Sequence, residues 1–394
     1  MTSPSASPRR AVRAIAGPSL WTRLKPVFAG FDWPLTAVVL ALATLGLVTM
    51  YSVGFDHGTR FADHGRNMLI GALLMFAVAQ VPPQRLQALA VPVYVLGLSL
   101  LLATALFGIT KKGATRWLNI GIVIQPSEIM KLAMPLMLAW WFQRREGQWR
   151  WPEFAIAGAL LLLPTLMVAK QPDLGTAILV FAGGFYVLFF AGLSWRLILP
   201  VALIGVIGVA TIVVSGDALC QPEVDWHVLR DYQKQRVCTL LDPTRDPLGK
   251  GFHILQGMIA IGSGGLGGKG FMSGTQTHLE FIPERTTDFV FAGFAEEFGL
   301  VGVGLLLLCY SALILRGLVI AAQAPTAFSR LLAGAISLSF FTYAFVNLGM
   351  VSGVLPVVGV PLPFISYGGT AMVTLGLALG MLMSIARSRG LMQR

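Results

Sequence analysis

The chain of 394 residues is 55% hydrophobic, has a mean hydropathy of +0.73, and carries charge on only 12% of its residues. Soluble domains hold about twice that charged fraction, so a soluble protein is excluded. The net charge of +11 would fit a nucleic-acid-binding protein, but the distribution of the arginines gives it another explanation.

The apolar segments predict an all-α polytopic membrane protein. Each is close to the length of about 20 residues that a helix needs to cross a bilayer. Ten such spans are predicted, at residues 34–52, 66–82, 88–108, 127–143, 153–170, 174–192, 196–215, 288–316, 329–350 and 365–386. Residues 1–30 have the composition of a disordered basic cytoplasmic tail, and residues 31–394 are predicted to form one membrane domain.

The arginines predict the orientation of the spans. If residue 1 is cytoplasmic, the segments on that side hold most of the arginines, and their only acids are Asp32, Glu146 and Glu153. This is the positive-inside bias, so both termini are predicted to be cytoplasmic. The bias explains the positive net charge without a nucleic-acid partner. It also leaves nearly all acids on the outer side, where we therefore expect the chemistry.

The outer loop RWLNIGIVIQPSEIMKLA leads into the fourth span. Arg116 is suited to hold a lipid phosphate at the interface. Ser127 is placed to cap the helix, and Glu128 lies at its positive end. Lys131 lies three residues further, on the same face and about one turn into the apolar layer, where a lone ammonium is costly. Two interpretations stay open: a structural Glu128–Lys131 pair, or a pair that also holds an anionic substrate.

The one large extracytoplasmic loop, residues 216–288, lies between spans seven and eight. Its first half is charged and predicts an amphipathic helix on the membrane surface. Cys220 and Cys238 lie in this half, where the compartment is oxidising, so a disulfide between them is plausible. The second half contains GSGGLGGKG, which reads either as a flexible loop or as a nest of backbone amides with Lys269 near a phosphate.

The segment HLEFIPERTTDFVFAGFAEEFG gathers acids where the eighth span begins. Because Asp288 starts this span, capping of the helix is its simplest role. Its apolar neighbours and its position at the interface favour a second role, a partly desolvated carboxylate that acts as a general base. Glu280 and Glu284 would then be supporting acids that orient a substrate or a cation. Glu296 and Glu297 are expected to lie out of reach down the helix.

Four motifs in this order make the chain resemble the SEDS family (shape, elongation, division and sporulation). They are RWLNIG…QPSEIMKLA, QGMIAIGSGGLGGKG, FIPERTTDFVFAGFAEEFG and LPVVGVPLPFISYGG. The resemblance runs from about residue 30 to residue 390. Within the family the chain looks more like the elongation type, RodA, than the division type, FtsW, which usually carries a lysine in the loop that reads PVVGVP here.

The resemblance implies a peptidoglycan glycosyltransferase of the bacterial inner membrane, with its active site facing the periplasm. Such an enzyme transfers a lipid-linked glycan to the GlcNAc 4-hydroxyl of lipid II with inversion, and releases undecaprenyl pyrophosphate, for cell elongation and rod shape. Asp288 matches the essential aspartate of the family. Further positions match motif residues that line the substrate cavity, namely Arg116, Glu128, Lys131, Lys269 and Glu280.

The resemblance also implies partners: lipid II, the undecaprenyl-linked nascent glycan, a class B penicillin-binding protein transpeptidase, other elongation-complex proteins and membrane lipids. A divalent cation, Mg2+ or Mn2+, is a candidate ligand of the pyrophosphate, although no residue spacing marks a site for it. Two other functions stay in view. A lipid II flippase would need paired charges deep in several spans, and a scaffold of the cell-wall synthesis complex would carry no chemistry.

Overall fold

The computed structural model describes residues 30–392 except 57, 112–113, 120, 122, 148, 222–223, 225–230, 246–248, 280 and 283. The predicted tail up to residue 29, and Glu280, therefore lie outside the described residues. Within them the chain is mostly helical. The helices are α1 (Trp33–Val53), α2 (Arg60–Ala79), α3 (Pro83–Phe107), α4 (Pro126–Arg144), α5 (Trp151–Lys170), α6 (Leu174–Phe190), α7 (Trp195–Val214), α8 (Gly216–Leu219), α9 (Asp231–Leu241), α10 (Lys250–Gly264), α11 (Thr275–His278), α12 (Val290–Ala322), α13 (Ala327–Val351) and α14 (Gly369–Met392).

Each predicted span coincides with one long helix, from α1 to α7 and from α12 to α14, with ends that differ by a few residues. Within the described residues, seven of these helices are long and apolar enough to cross a membrane, and α6 is apolar but shorter. The helices α2 and α4 contain charged residues that lower their hydropathy, among them Asp63 in α2 and Lys131 in α4. A mostly helical chain with several such apolar helices is typical of a multi-pass membrane protein.

A small antiparallel sheet lies between α3 and α4. Its strands are β1 (Ile109–Lys111), β2 (Ala114–Asn119) and β3 (Val123–Ile124), in that order. The register pairs Thr110 with Thr115 and Leu118 with Ile124. The all-α prediction missed this sheet because such short strands leave no apolar period that a sequence reveals. The sheet gives a fixed backbone to the loop that carries Arg116.

The core of the bundle is built around α13, most of whose residues are buried. This helix packs against α12, α6 and α4. The contact between α2 and α14 is made through glycines. A β-carbon on Gly376 would lie 2.3 Å from the carbonyl oxygen of Gly71, and one on Gly380 would lie 2.7 Å from Val78. Small residues four positions apart let two helices approach closely in a membrane, and α2 and α14 pack in this way.

The long helix α12 is broken at Gly299, which has φ 61° and ψ −164°. The glycine-rich segment 264–270 lies against this break. Four backbone hydrogen bonds join the segment to the helix: Lys269 N to Glu296 O, Gly270 N to Glu297 O, Leu300 N to Gly265 O, and Val301 N to Leu266 O, all between 2.9 and 3.1 Å. The segment therefore supplies the partners that the helix loses at the break.

This contact gives GSGGLGGKG a role that neither interpretation from the sequence included. The amides of Lys269 and Gly270 donate to helix carbonyls, so they are not arranged as a nest around a phosphate. The glycines are needed because α12 passes so close. A β-carbon on Gly268 would lie 2.0 Å from the carbonyl oxygen of Glu297, and φ at Gly268 is +77°. The segment is part of the packed structure.

A disulfide joins Cys220, just after α8, to Cys238 in α9. The structure thus contains the disulfide that the sequence made plausible. In the same loop, α9 lies within the charged stretch that was predicted to be helical. The disulfide ties this helix to the end of α7 and α8, because Cys220 follows them directly in the chain.

We expect Gly299→Ala to destabilise the protein by about 2 kcal/mol or more, because alanine disfavours a positive φ and its β-carbon would lie 2.2 Å from Gly268 N. Thermal unfolding of the purified protein in detergent measures the effect. Gly304→Ala in the same helix is the control, since nothing lies within 4 Å of its β-carbon. Equal midpoints for the two variants would contradict the role of the break.

Candidate active site

The carboxylate of Asp288 lies one residue before the cap of α12. The N-cap is Phe289, which makes no side-chain capping bond, so Asp288 does not occupy the capping position that the sequence suggested. A β-carbon on Gly359 would lie 3.2 Å from Asp288 Oδ2, and φ at Gly359 is +75°. Glycine is required there, since the backbone passes directly beside the carboxylate.

The backbone before α12 is clamped at three successive carbonyls. Asn347, fully buried on α13, donates its amide to Asp288 O at 3.0 Å and to Val360 O at 2.7 Å. The Ser366 hydroxyl donates to Thr287 O at 2.7 Å. Tyr367 N donates to Thr286 O at 2.9 Å. The proline-rich segment 355–369 is therefore a scaffold that fixes the position of Asp288.

Glu128 and Lys131 form the pair that the sequence predicted. Lys131 Nζ lies 2.7 Å from Glu128 Oε1, and the two side chains are 5% and 16% exposed. The Thr374 hydroxyl of α14 donates to Glu128 Oε2 at 3.0 Å. Lys131 Nζ also lies 5.3 Å from the ring centroid of Tyr343 on α13. Tyr343 and Asn347 are four residues apart, so one face of α13 contacts both the ion pair and the backbone of Asp288.

Arg116 on β2 does not point to open space. Its guanidinium donates to Pro172 O, and its Nη1 lies 3.7 Å from Asp173 Oδ1. Asp173 caps α6 by accepting from Thr176 N, and it accepts from Gln125 Nε2 at 2.9 Å. Asp173 was not among the residues predicted from the sequence, because an aspartate before a helix has the same pattern as any N-cap.

Lys269 lies in a different environment from the one predicted. Its ammonium lies 2.7 Å from Glu296 Oε1. The Glu296 carboxylate is fully buried and also accepts from the hydroxyls and amides of α11: Thr275 Oγ1, Gln276 N, Thr277 N and Thr277 Oγ1. Lys269 and Glu296 therefore hold the chain that leads to Asp288, and the predicted contact of Lys269 with a phosphate has no support in this geometry.

An apolar cavity of about 620 Å3 opens among α2, α3, α4 and α14. Polar side chains are concentrated where α4 and α14 begin: Asn67, Gln125, Glu128, Thr370 and Thr374. Towards Leu136 and Met381 the walls are apolar. The eleven steps along the chain from Gln125, the cap of α4, to Leu136 correspond to a depth of about 16 Å, roughly half of a hydrocarbon core.

A divalent cation would have few protein ligands here. Among the described residues, no group of three or more His, Cys, Asp or Glu side chains is placed to hold a metal ion. Mg2+ often binds through one or two carboxylates and takes its other ligands from phosphates and water. A cation that accompanies a pyrophosphate would therefore be held mainly by the substrate, with Asp288 or Glu284 as the acids of the described segment.

Known proteins share the sequence that builds this site. A sequence model of a family described as cell cycle protein, FtsW, RodA and SpoVE, matches residues 32–390. The chain belongs to the FtsW/RodA/SpoVE family. The match begins just before α1 and ends within α14, so it includes every side chain of the site described above.

Relatives within the FtsW/RodA/SpoVE family agree with the elongation type. The peptidoglycan glycosyltransferase MrdB of Escherichia coli (strain K12), which is of the RodA type, is 48% identical over 92% of this chain and 95% of its own length. A chain from a solved structure on "structural coordination of polymerization and crosslinking by a peptidoglycan synthase complex" has a TM-score of 0.74 and 35% identity, with 91% of this chain and 98% of that chain covered. RodA of Thermus thermophilus has a TM-score of 0.66 and 29% identity, with coverages of 91% and 97%. The predicted resemblance is confirmed.

We expect Lys131→Met to destabilise the protein by about 3–5 kcal/mol, because it leaves the Glu128 carboxylate buried without its cation. The double variant Glu128→Gln, Lys131→Met should be milder, since no charge is left unpaired. Thermal unfolding measures both. Arg66→Met is the control, because Arg66 pairs with Asp63 at the same spacing but is 65% exposed, and it should cost less than about 1 kcal/mol. The single variant Glu128→Gln completes the comparison. A double variant whose loss of stability equals the sum of the losses of the two single variants would contradict the coupling.

Proposed function

We propose that this FtsW/RodA/SpoVE-family chain is a peptidoglycan glycosyltransferase that polymerises glycan strands from lipid II during cell elongation. The observation that carries the proposal is the apolar cavity with its polar residues gathered at one end. A substrate with an isoprenoid chain and a charged sugar headgroup matches the chemistry of such a cavity, which is apolar along its walls and polar at one end. The names of the relatives, peptidoglycan glycosyltransferase MrdB among them, support the same reaction.

Asp288 is the general base in this proposal. The GlcNAc 4-hydroxyl of the acceptor attacks the anomeric carbon of the MurNAc donor, and Asp288 accepts the proton of that hydroxyl. The bond between the anomeric carbon and the pyrophosphate oxygen breaks, and undecaprenyl pyrophosphate leaves with the electron pair. Attack from the face opposite the leaving group converts the α-linked donor into a β-1,4 bond. The clamp on carbonyls 286–288 supports this role, since a base must be held in one geometry to act.

The other polar residues have supporting roles in this proposal. Glu128 lines the cavity and, with Lys131, contacts the headgroup of the substrate. Arg116 orients the start of α6 through Asp173, and Asp173 in turn holds Gln125 at the cavity. Lys269 acts through Glu296 on the position of α11. Glu280 is retained as a supporting acid of the segment before Asp288.

The proposed orientation has ten crossings. All ten long helices would cross the inner membrane, both termini would be cytoplasmic, and the loop of residues 216–288 would be periplasmic. The arginine distribution supports this orientation. The starts of α4, α6, α12 and α14 would then lie at the periplasmic side with the cavity mouth, as an enzyme that uses exported lipid II requires.

The proposed partner is a class B transpeptidase of the elongation complex. The similar chain from a peptidoglycan synthase complex, described with polymerization and crosslinking together, supports such a pairing. Coupling is chemically sensible, because a polymerase that makes uncrosslinked strands needs a transpeptidase nearby to join them to the wall.

We expect Asp288→Asn to reduce lipid II polymerisation by about 100-fold or more, the scale for loss of a general base. The side chain keeps its size and loses only its basicity, so the protein should stay folded. The measurement is glycan-strand formation by purified protein with its partner transpeptidase. Glu146→Gln, an exposed acid at the opposite end of the bundle, should retain wild-type activity. Near-normal synthesis by Asp288→Asn would remove the proposed base, and no synthesis by the wild type would favour a flippase or a scaffold.

We expect a cysteine at Thr244 to react with a membrane-impermeant maleimide in cells whose inner membrane is intact, because its loop is proposed to be periplasmic. A cysteine at Ala322, which is exposed at the end of α12, should react only after permeabilisation. The reverse pattern would invert the proposed topology.

A further inference from the structure

The departure of a pyrophosphate requires positive charge that no protein carboxylate already neutralises. In a site of low dielectric, such charge stabilises the negative charge that develops on the leaving group. Four cations near the site are already paired with a carboxylate: Arg116 with Asp173, Lys131 with Glu128, Lys269 with Glu296, and Arg285 with Asp56. Their net contribution to an incoming anion is therefore small.

Arg60 differs from these four cations. It is the first residue of α2, and its side chain is partly exposed. Its Nη1 donates to the hydroxyl of Thr286 at 3.1 Å, and its guanidinium carbon lies 4.6 Å from the ring centroid of Tyr367. Both partners are neutral. Within the described part of the chain, no carboxylate pairs with Arg60, so its positive charge and most of its N–H donors remain for a ligand.

The partners of Arg60 place it next to the clamped segment. Thr286 lies two residues before Asp288, and its carbonyl accepts from the amide of Tyr367. The stacking on Tyr367 fixes the plane of the guanidinium, and a fixed guanidinium plane is what recognises phosphate oxygens well. Arg60 is therefore a cation of fixed orientation next to the segment that carries the proposed general base, Asp288.

The same face of α2 leads from Arg60 to the cavity. Arg60, His64, Asn67 and Gly71 are spaced by four, three and four residues, which puts them on one face. This face is turned to α14 and the segment before it. His64 Nε2 lies 3.2 Å from Phe364 O, and a β-carbon on Gly369 would lie 3.5 Å from the Asn67 amide. Asn67 lines the cavity, so a lipid chain in the cavity would carry its headgroup past Asn67 towards Arg60.

His64 adds an independent observation on this face. It is fully buried, and its Nδ1 has no hydrogen-bond partner within the described residues. A buried polar atom without a partner is uncommon in a folded protein. His64 lies between Arg60 and Asn67 along this face of α2 and packs against the segment that carries Phe364 and Tyr367.

We propose that Arg60 binds the pyrophosphate of the lipid-linked substrate and stabilises its negative charge as it leaves. This assignment rests on the proposed function, because it requires that the cavity holds an isoprenoid pyrophosphate. From the sequence, Lys131, Lys269 and Arg116 were the residues expected to meet a phosphate or an anionic substrate. Arg60 is proposed for this role because, within the described residues, no carboxylate compensates its charge. The phosphate of an ordinary phospholipid shares this chemistry, so the experiment has to separate the two sources.

The experiment measures binding of labelled undecaprenyl pyrophosphate and labelled undecaprenol to the full chain in nanodiscs of zwitterionic lipid. Arg60→Gln should weaken undecaprenyl pyrophosphate binding by about 10-fold to 100-fold, the effect of one lost charge-assisted contact. Undecaprenol binding should not change, and it reports that the cavity is intact. Arg60→Lys keeps the charge and should lose less affinity than Arg60→Gln. Arg66→Gln is the matched control on the same helix, because Arg66 is exposed and paired with Asp63. It should leave both affinities unchanged.

Kinetics give a second readout. With lipid II as substrate, Arg60→Gln should raise KM and also lower kcat, because the contact persists in the transition state, whereas Asp288→Asn should lower kcat with little effect on KM. If the Arg60→Gln variant binds undecaprenyl pyrophosphate with the affinity of the wild type, the assignment is overturned. Equal loss of both labelled lipids would overturn it too, since that indicates a distorted cavity. Displacement of undecaprenyl pyrophosphate from the wild type by equimolar phosphatidylglycerol would show a general phospholipid site and likewise overturn it. If the wild type binds undecaprenyl pyrophosphate through Arg60 but makes no glycan, the proposed function fails while the binding site stands.

Discussion

The constraint on which this structure depends is that backbone groups in an apolar surrounding must find hydrogen-bond partners within the protein. The break of α12 at Gly299 leaves carbonyls and amides without partners inside the helix, and the glycine-rich segment 264–270 supplies those partners. The break separates a buried first part of α12 from a second part that has many exposed apolar side chains. The first part begins at Val290, two residues after Asp288, so the fit of this segment against the break helps to position the chain that carries the candidate base.

The same constraint applies to charge. Each buried carboxylate of the site is satisfied by named donors: Glu296 by Lys269 and α11, Glu297 by the Ser52 hydroxyl at 2.5 Å, and Glu128 by Lys131 and Thr374. These bonds connect α1, α4, α11, α12 and α14 at one end of the bundle. Asn347 adds the link between α13 and the backbone of Asp288. A site built in this way is rigid because each polar group would be costly to release.

The sequence predicted the positions of the long helices well, because an apolar stretch of about 20 residues is a strong signal. It also singled out Asp288 and the Glu128–Lys131 pair, since charges are rare in such a chain. The predictions from the sequence were incomplete where the role of a residue depends on which other part of the chain packs against it. The glycines before Lys269 predict mobility or phosphate contact equally well until the broken helix beside them is known. Arg60, His64 and Asn67 share a helix face, but nothing in the sequence tells which helix that face meets. The three short strands carry too few residues for any pattern to stand out.

The partners of Glu296 also bear on how the chain enters the membrane during synthesis. A carboxylate in a membrane-inserting helix opposes insertion by about 2.5–3.5 kcal/mol when it reaches the centre unpaired. All donors to Glu296 come from residues 19 to 27 positions earlier in the chain. They have therefore already left the ribosome when α12 emerges. The helix can meet its neutralising partners on the way in, without waiting for α13 or α14 to be made.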